Sequence, residues 1–214
     1  MITARGMAGT RDLYSRRYAG EQAYWGVDPN ELVVEAATLM RTNGRVLDLG
    51  SGEGRDSAYL AKNGFRVTAV DFCAEGVRKT RLAAREAGVQ LEKVIQADLT
   101  DTGIISALGE FDGILAMGIL HHLSEEAVRS TLRVMKRHTT VGGHNVIWAF
   151  VGGEDRRQAE VPSEAGYLFG KGEMRDLYSD WKVCHCVEGW GPMHDHGEGM
   201  HRHHRAELIA QRRG

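Results

Sequence analysis

The sequence predicts an α/β protein, with a mostly parallel sheet and helices on both faces. Three observations predict it. Val46, Leu47 and Leu49 form a short apolar run that reads as a buried strand, followed by a turn with Gly50, Gly52 and Gly54 and a helix-forming stretch, Ser57 to Lys62. Strand-like and helix-like segments then alternate as far as Phe150, the pattern of a parallel sheet. Three of the strand-like runs end in an acid, at Asp48, Asp71 and Asp98.

Each element has its own signal. The first ten residues carry no apolar pattern and read as a loose tail. Residues 12 to 25 are rich in aromatics. Asp28-Pro29-Asn30-Glu31 reads as a helix start, with Asp28 as cap, and Val33, Ala36, Ala37 and Met40 recur at helical spacing until Gly44. Phe65 to Asp71 is the second strand, and Glu75 to Ala87 a helix ended by Gly88. Leu91 to Asp98 is the third strand, and Thr102 to Leu108 a short helix. Phe111 to Met117 is the fourth strand. Ser124 then caps a helix with Glu125 and Glu126 in its first turn and Lys136, Arg137 and His138 in its last, both suiting the helix dipole. Gly142-Gly143 is expected to turn the chain into a fifth strand, His144 to Phe150. Beyond it, Glu173 to Tyr178 suggests a helix, and Trp181 to Val187 and Arg205 to Gln211 two closing strands with a loop at 188 to 204 between them.

Strand, glycine turn and helix together make a nucleotide-binding arrangement, because glycine lets the backbone bend sharply and a ligand approach it. The spacing is G-x-G-x-G. The dinucleotide fingerprint G-x-G-x-x-G would need its third glycine where Arg55 stands. Asp48 lies two residues ahead of the first glycine, where a carboxylate would repel a pyrophosphate and suit a ligand with an ammonium or sulfonium group. S-adenosylmethionine carries both. Asp71 stands about twenty residues further on, the spacing at which an acid receives ribose hydroxyls. Asp98 and the Leu99 amide are placed to meet an adenine.

Val-Leu-Asp-Leu-Gly-Ser-Gly-Glu-Gly-Arg, Val-Thr-Ala-Val-Asp, Gln-Ala-Asp-Leu and Phe-Asp-Gly-Ile-Leu together resemble the core of a class I S-adenosylmethionine-dependent methyltransferase, over Val46 to Val151. Tyr24-Trp-Gly-Val-Asp-Pro-Asn30 and a His-rich glycine loop before the last strand resemble the tellurite-resistance and thiopurine-type branch of small bacterial enzymes. The resemblance implies a Rossmann-like seven-stranded sheet, mostly parallel with the last strand antiparallel. It implies S-adenosylmethionine as cofactor, with Asp48, Gly50 and Gly52 at its amino-acid end and Arg55 and Met117 also among the residues that meet it. Asp71 would take the ribose, Asp98 and Leu99 the adenine, and Phe72 would flank that ring. An N-terminal segment closes over the cofactor in such enzymes, which makes Tyr14, Tyr18, Tyr24 and Trp25 candidate lid residues; the alternative is ordinary packing.

A chain of 214 residues fits one domain, divided here into an N-terminal tail and lid helix (1–44), a cofactor-binding core (45–151) and closing strands with the His-rich loop (152–214). The net charge of −2 and the lack of a basic block propose no nucleic-acid partner. No apolar run approaches the ~18 residues of a membrane span, and the three cysteines show no framework spacing, so a cytoplasmic monomer or homodimer is expected.

Methyl transfer is an in-line displacement with a neutral leaving group, so an acid is not needed and a base only when the nucleophile arrives protonated. His121 and His122 follow the fourth strand, where this fold meets its substrate. His121 is the candidate base, and His122 reads as a packing or capping residue. Six of the ten histidines lie from His185 to His204. With Cys184 and Cys186 they raise the possibility of a soft metal, but no C-x-x-C occurs and none is assigned. The resemblance to the tellurite-type enzymes implies instead that His194, His201 and Arg202 form an oxyanion- or chalcogen-binding rim, with a solvated polar loop as the alternative, and the same resemblance implies a soft acceptor such as a thiol or a tellurium or selenium oxyanion. O- or N-methylation of a specialised metabolite is the rival reading, and a metal- or ligand-binding protein on the same scaffold the third. Cys73 reads as a small buried residue.

Overall fold

A computed structural model describes residues 4–152, 166–193 and 202–214, without the side chains of residues 4–9. Seven strands form one sheet in the order β3-β2-β1-β4-β5-β7-β6. The strands are β1 (Arg45–Leu49), β2 (Arg66–Asp71), β3 (Lys93–Gln96), β4 (Phe111–Met117), β5 (Thr139–Phe150), β6 (Lys182–Trp190) and β7 (His204–Gln211). β1 to β5 pair in parallel, and β7 is antiparallel to both of its neighbours, β5 and β6. The sheet is therefore the one expected, mostly parallel with its last strand reversed.

The central strands are apolar because both faces are covered. Val46, Leu47, Ile114, Leu115, Val146 and Ile147 have no exposed surface. One apolar cluster joins β4 and β5 to α6 (Glu125–His138), through residues such as Leu132 and Met135. The other joins α2 (Glu31–Leu39) and α3 (Arg55–Lys62) to the opposite face, through Val33, Leu60, Val67 and Val146. α4 (Ala74–Glu86), α5 (Thr102–Ala107) and the single turn α7 (Glu173–Leu177) complete the layers.

Five expectations need correction. Residues 4–10 are not a tail, since α1 runs from Ala4 to Ala19 and buries Thr10, Tyr14 and Tyr18, an i, i+4, i+8 series. The cap of α2 is Asn30, not Asp28: its side chain accepts from the Leu32 amide, while its own N–H donates to Asp56 Oδ1 at 2.7 Å, which fixes it in an extended conformation after Pro29. β3 ends at Gln96, so Asp98 lies beyond the strand, in a turn that it holds itself by accepting from the Thr100 amide and hydroxyl. Gly142-Gly143 does not begin β5. α6 passes directly into a strand at Thr139, and the two glycines lie inside it where the register with β4 shifts. β6 continues to Trp190, so the first residues of the expected loop are strand.

Candidate active site

The carboxyl ends of β1, β2, β4 and β5 open into one cleft of about 980 Å³. Its floor is the glycine turn. Gly50, Gly52 and Gly54 all have positive φ, and a Cβ on Gly54 would lie 2.6 Å from the Thr80 Cα, so here only glycine admits the close contact between the turn and α4.

Asp48 is 2 % exposed at the end of β1 and accepts the Ser57 hydroxyl at 2.6 Å. Burial, and then the nearby Asp56 carboxylate, push it up to about 7. Asp71 ends β2 and accepts the Gly52 and Cys73 amides, each at 2.8 Å. Burial pushes it up to about 6 against the pull of those amides. Asp98 and Leu99 meet the same cleft from the turn after β3, with Asp98 3.9 Å from Arg11. Phe72 also lines the cleft, with the Arg11 guanidinium 5.6 Å from its ring centre and the Tyr14 ring edge-on to it. Cys73 is fully buried, as expected.

The N-terminal aromatics form the opposite wall. Tyr14, Tyr18, Tyr24 and Trp25 all line the cleft. The Trp25 indole N–H donates to the Tyr18 hydroxyl at 3.2 Å, and Arg55 donates to the Trp25 carbonyl at 2.5 Å. Arg55 thus tethers the segment between α1 and α2 to α3. Met117 lines the cleft at the end of β4.

His121 and His122 follow β4 in a short 3-10 turn, Leu120–His122. His121 is 3 % exposed and stacked on Phe150 at 3.9 Å between centroids. Burial, and then His122 and His203, hold its imidazole well below the ordinary histidine range, so it is neutral. His122 meets the Tyr14 hydroxyl at 2.8 Å, which agrees with a packing role.

His194 and His201 of the expected rim lie outside the described residues. Arg202 packs over the Trp190 ring at 4.6 Å and is not among the cleft-lining residues, whereas Pro192, His203, Arg205 and Glu207 are. Arg205 Nε donates to Glu207 Oε1 at 2.6 Å. Among the described residues, no group of three or more His, Cys, Asp or Glu side chains stands where it could hold a metal ion. No helix there is long and apolar enough to cross a membrane.

Sequence reasoning missed several of these residues. Trp148 and Phe150 stand at the carboxyl end of β5, and Glu207 reaches the cleft from β7, opposite Trp148, through a long-range pairing without a local signal. Glu53, inside the glycine turn, forms a buried 2.7 Å ion pair with Lys79 of α4. Glu53 was visible in the motif, but its partner 26 residues away was not.

This sheet and cleft are those of the class I methyltransferases. The crystal structure of TehB from Haemophilus influenzae superposes with a TM-score of 0.76 at 26 % identity, over 95 % of this chain and 67 % of that one. A Burkholderia thailandensis 1,6-didemethyltoxoflavin-N1-methyltransferase, solved with its substrate and S-adenosylhomocysteine, shares the fold at a TM-score of 0.69 and 21 % identity, over 99 % of this chain and 90 % of that one. The family model described as "Tellurite resistance protein TehB" matches residues 11–205, and the chain belongs to that family. The Haemophilus influenzae relative "Probable S-adenosyl-L-methionine-dependent methyltransferase TehB" is 29 % identical over 170 residues, 79 % of this chain and 57 % of the relative. A Xanthomonas axonopodis ubiquinone biosynthesis O-methyltransferase is 35 % identical over 99 residues, 46 % of this chain and 41 % of that one. The match thus spans 57 % of the length of the Haemophilus relatives and less than half of the Xanthomonas one.

Proposed function

We propose that the chain is a single-domain S-adenosylmethionine-dependent methyltransferase acting on a small, soft nucleophile, a thiol or a tellurium or selenium oxyanion. One observation carries the donor half of this reading: Asp48, Asp71 and Asp98 reach a single cleft around the glycine turn. The cleft residues fit that donor. Asp48 is a buried carboxylate with one hydrogen-bond donor among the described residues, Ser57, and a cationic ligand would complete its surroundings. Asp48, with the turn at Gly50 and Gly52, would hold the amino-acid end, Asp71 the ribose hydroxyls, and Asp98, Leu99 and Phe72 the adenine. Bound there, S-adenosylmethionine supplies a methyl group on a sulfonium centre. Met117, Tyr24 and Trp25 border that region and help exclude water, while Arg55 keeps the lid segment in place.

The soft-acceptor half is supported by membership of the tellurite resistance family and by the relatives' name. His203, Arg205 and Pro192 would form the acceptor side, with His194 and His201 from the adjoining loop. We place the enzyme in the cytoplasm, as a monomer or homodimer. A second reading, O- or N-methylation of a specialised metabolite, is favoured by one feature: His121 is neutral and faces the cleft, as a general base must.

The deciding experiment is release of S-adenosylhomocysteine against tellurite, selenite, small thiols, phenols and amines. Turnover confined to the first three supports the soft-acceptor reading. Turnover on phenols or amines moves the assignment to the second reading, and a protein that fails to bind S-adenosylhomocysteine defeats both.

A further inference from the structure

The segment joining α1 to α2 crosses the glycine turn and is held there by a buried charge pair. Lys79 of α4 is 6 % exposed, and its ammonium donates to Glu53 Oε1 at 2.7 Å and to the Gln22 carbonyl at 2.8 Å. The other oxygen of Glu53 accepts the Trp25 amide at 3.0 Å. One ion pair thus grips both ends of residues 22–25 and ties them to the floor of the cleft. Glu53 lines the cleft, whereas Lys79 stands behind it.

Stability alone is a poor reason for such a pair. Withdrawing two charges from water costs about as much as their attraction returns, and apolar side chains of similar volume would serve as well. The pair is directional, however. It fixes one position of the lid segment against one shape of the turn, because each hydrogen bond is lost if either moves.

We propose that Lys79 is a positioning residue for the methyl donor. Acting through Glu53, it makes closure of residues 22–25 and the binding-competent shape of the glycine turn a single event. Donor binding then orders the lid, and a displaced lid weakens donor binding to the same degree. This inference rests on the donor reading above.

The test uses the whole chain and S-adenosylhomocysteine as probe. A single Lys79→Met change would leave the Glu53 charge with neither counter-ion nor donor from α4, so the variants are Lys79→Gln, which keeps a donor there, and the charge-neutral pair Glu53→Gln/Lys79→Met, and whichever unfolds cooperatively is read. Affinity is measured by calorimetry, and lid order by the rate at which a glutamate-specific protease cuts after exposed Glu21, the bond that opens residues 22–25, with and without the probe. The expected result is an affinity at least tenfold weaker, with the probe's protection of the Glu21 site lost even at saturation. A folded variant with wild-type affinity and protection overturns the inference while leaving the donor reading intact. A wild-type protein that does not bind the probe overturns both.

Discussion

The Tyr14 hydroxyl lies 2.8 Å from Nε2 of His122, 108 residues further along the chain. That contact fastens the N-terminal helix to the turn after β4. Tyr14→Phe keeps the ring and removes the oxygen. The expected loss is about 1 kcal/mol of stability, read by urea unfolding, with faster hydrogen exchange in the α1 amides. Unchanged exchange in α1 would show that packing alone holds the helix.

Asp48 carries a cost for its place in the cleft. Its value rises from 3.8 to about 7 on folding, so the folded protein binds the proton more tightly than the unfolded one. The stabilisation this gives is fully present below about pH 4 and is lost as pH rises through about 7. At pH 8 the buried charge therefore weighs against folding, by an amount on the order of 2–4 kcal/mol. Asp48→Asn should be more stable than wild type at pH 8 in urea, yet bind S-adenosylhomocysteine more weakly. A variant that loses stability at pH 8 would contradict this account.

The same shift predicts how donor binding responds to pH. If the ligand's ammonium needs Asp48 charged, binding expels the Asp48 proton below about pH 7. Affinity then falls roughly tenfold per unit, and more steeply below about 6, where Asp71 also takes up a proton. Calorimetry at pH 8 and pH 5.5 measures this, and equal affinities would remove Asp48 from the donor site.

Gly76 lies in the first turn of α4, under the glycine loop. A Cβ there would stand 2.9 Å from the Gly52 carbonyl oxygen and 3.2 Å from an Asp71 carboxylate oxygen. Gly76→Ala should push α4 away from the turn, costing about 1–3 kcal/mol and weakening donor binding with it. Thermal unfolding with and without S-adenosylhomocysteine separates the two effects. A variant that is destabilised but keeps the full ligand-induced shift would place the strain outside the binding geometry.

His121 separates the two acceptor readings. Its pKa is held well below 6.5, so it adds no titration near neutrality to the rate. His121→Ala should leave turnover of an anionic soft acceptor nearly unchanged. With a protonated acceptor it should remove about 10²–10⁴ of the rate, the usual contribution of a general base. Equal losses on both acceptor types would assign His121 a packing role against Phe150.

The donor side was legible because it is local: strand, turn and acid follow one another within a few residues, so Asp48, Asp71 and the glycines could be placed from spacing alone. Asp98 was placed correctly beside the cleft but wrongly within the strand, because an Asx-type turn mimics the end of a strand. α1 was missed although Thr10, Tyr14 and Tyr18 carry its spacing, since polar residues surround them. Asn30 displaced Asp28 as cap through a bond to Asp56, which no linear pattern announces. The proposed acceptor side draws on β5, on β7 and on Pro192 and His203 between β6 and β7. Its geometry depends on which strand lies beside which, and hydrophobic period does not encode that order.

The insertion of β7 between β5 and β6 has a consequence during synthesis. When β6 leaves the ribosome its neighbour does not yet exist, and β5, with Val146 and Ile147 at its centre, presents an open apolar edge. The sheet closes only when the chain from His204 to Gln211 arrives and slides in antiparallel between them. Until then the nascent protein carries two unpaired strand edges of the kind that recruit other chains. A stop codon shortly before His204 should therefore yield an insoluble product with the donor half already encoded in full.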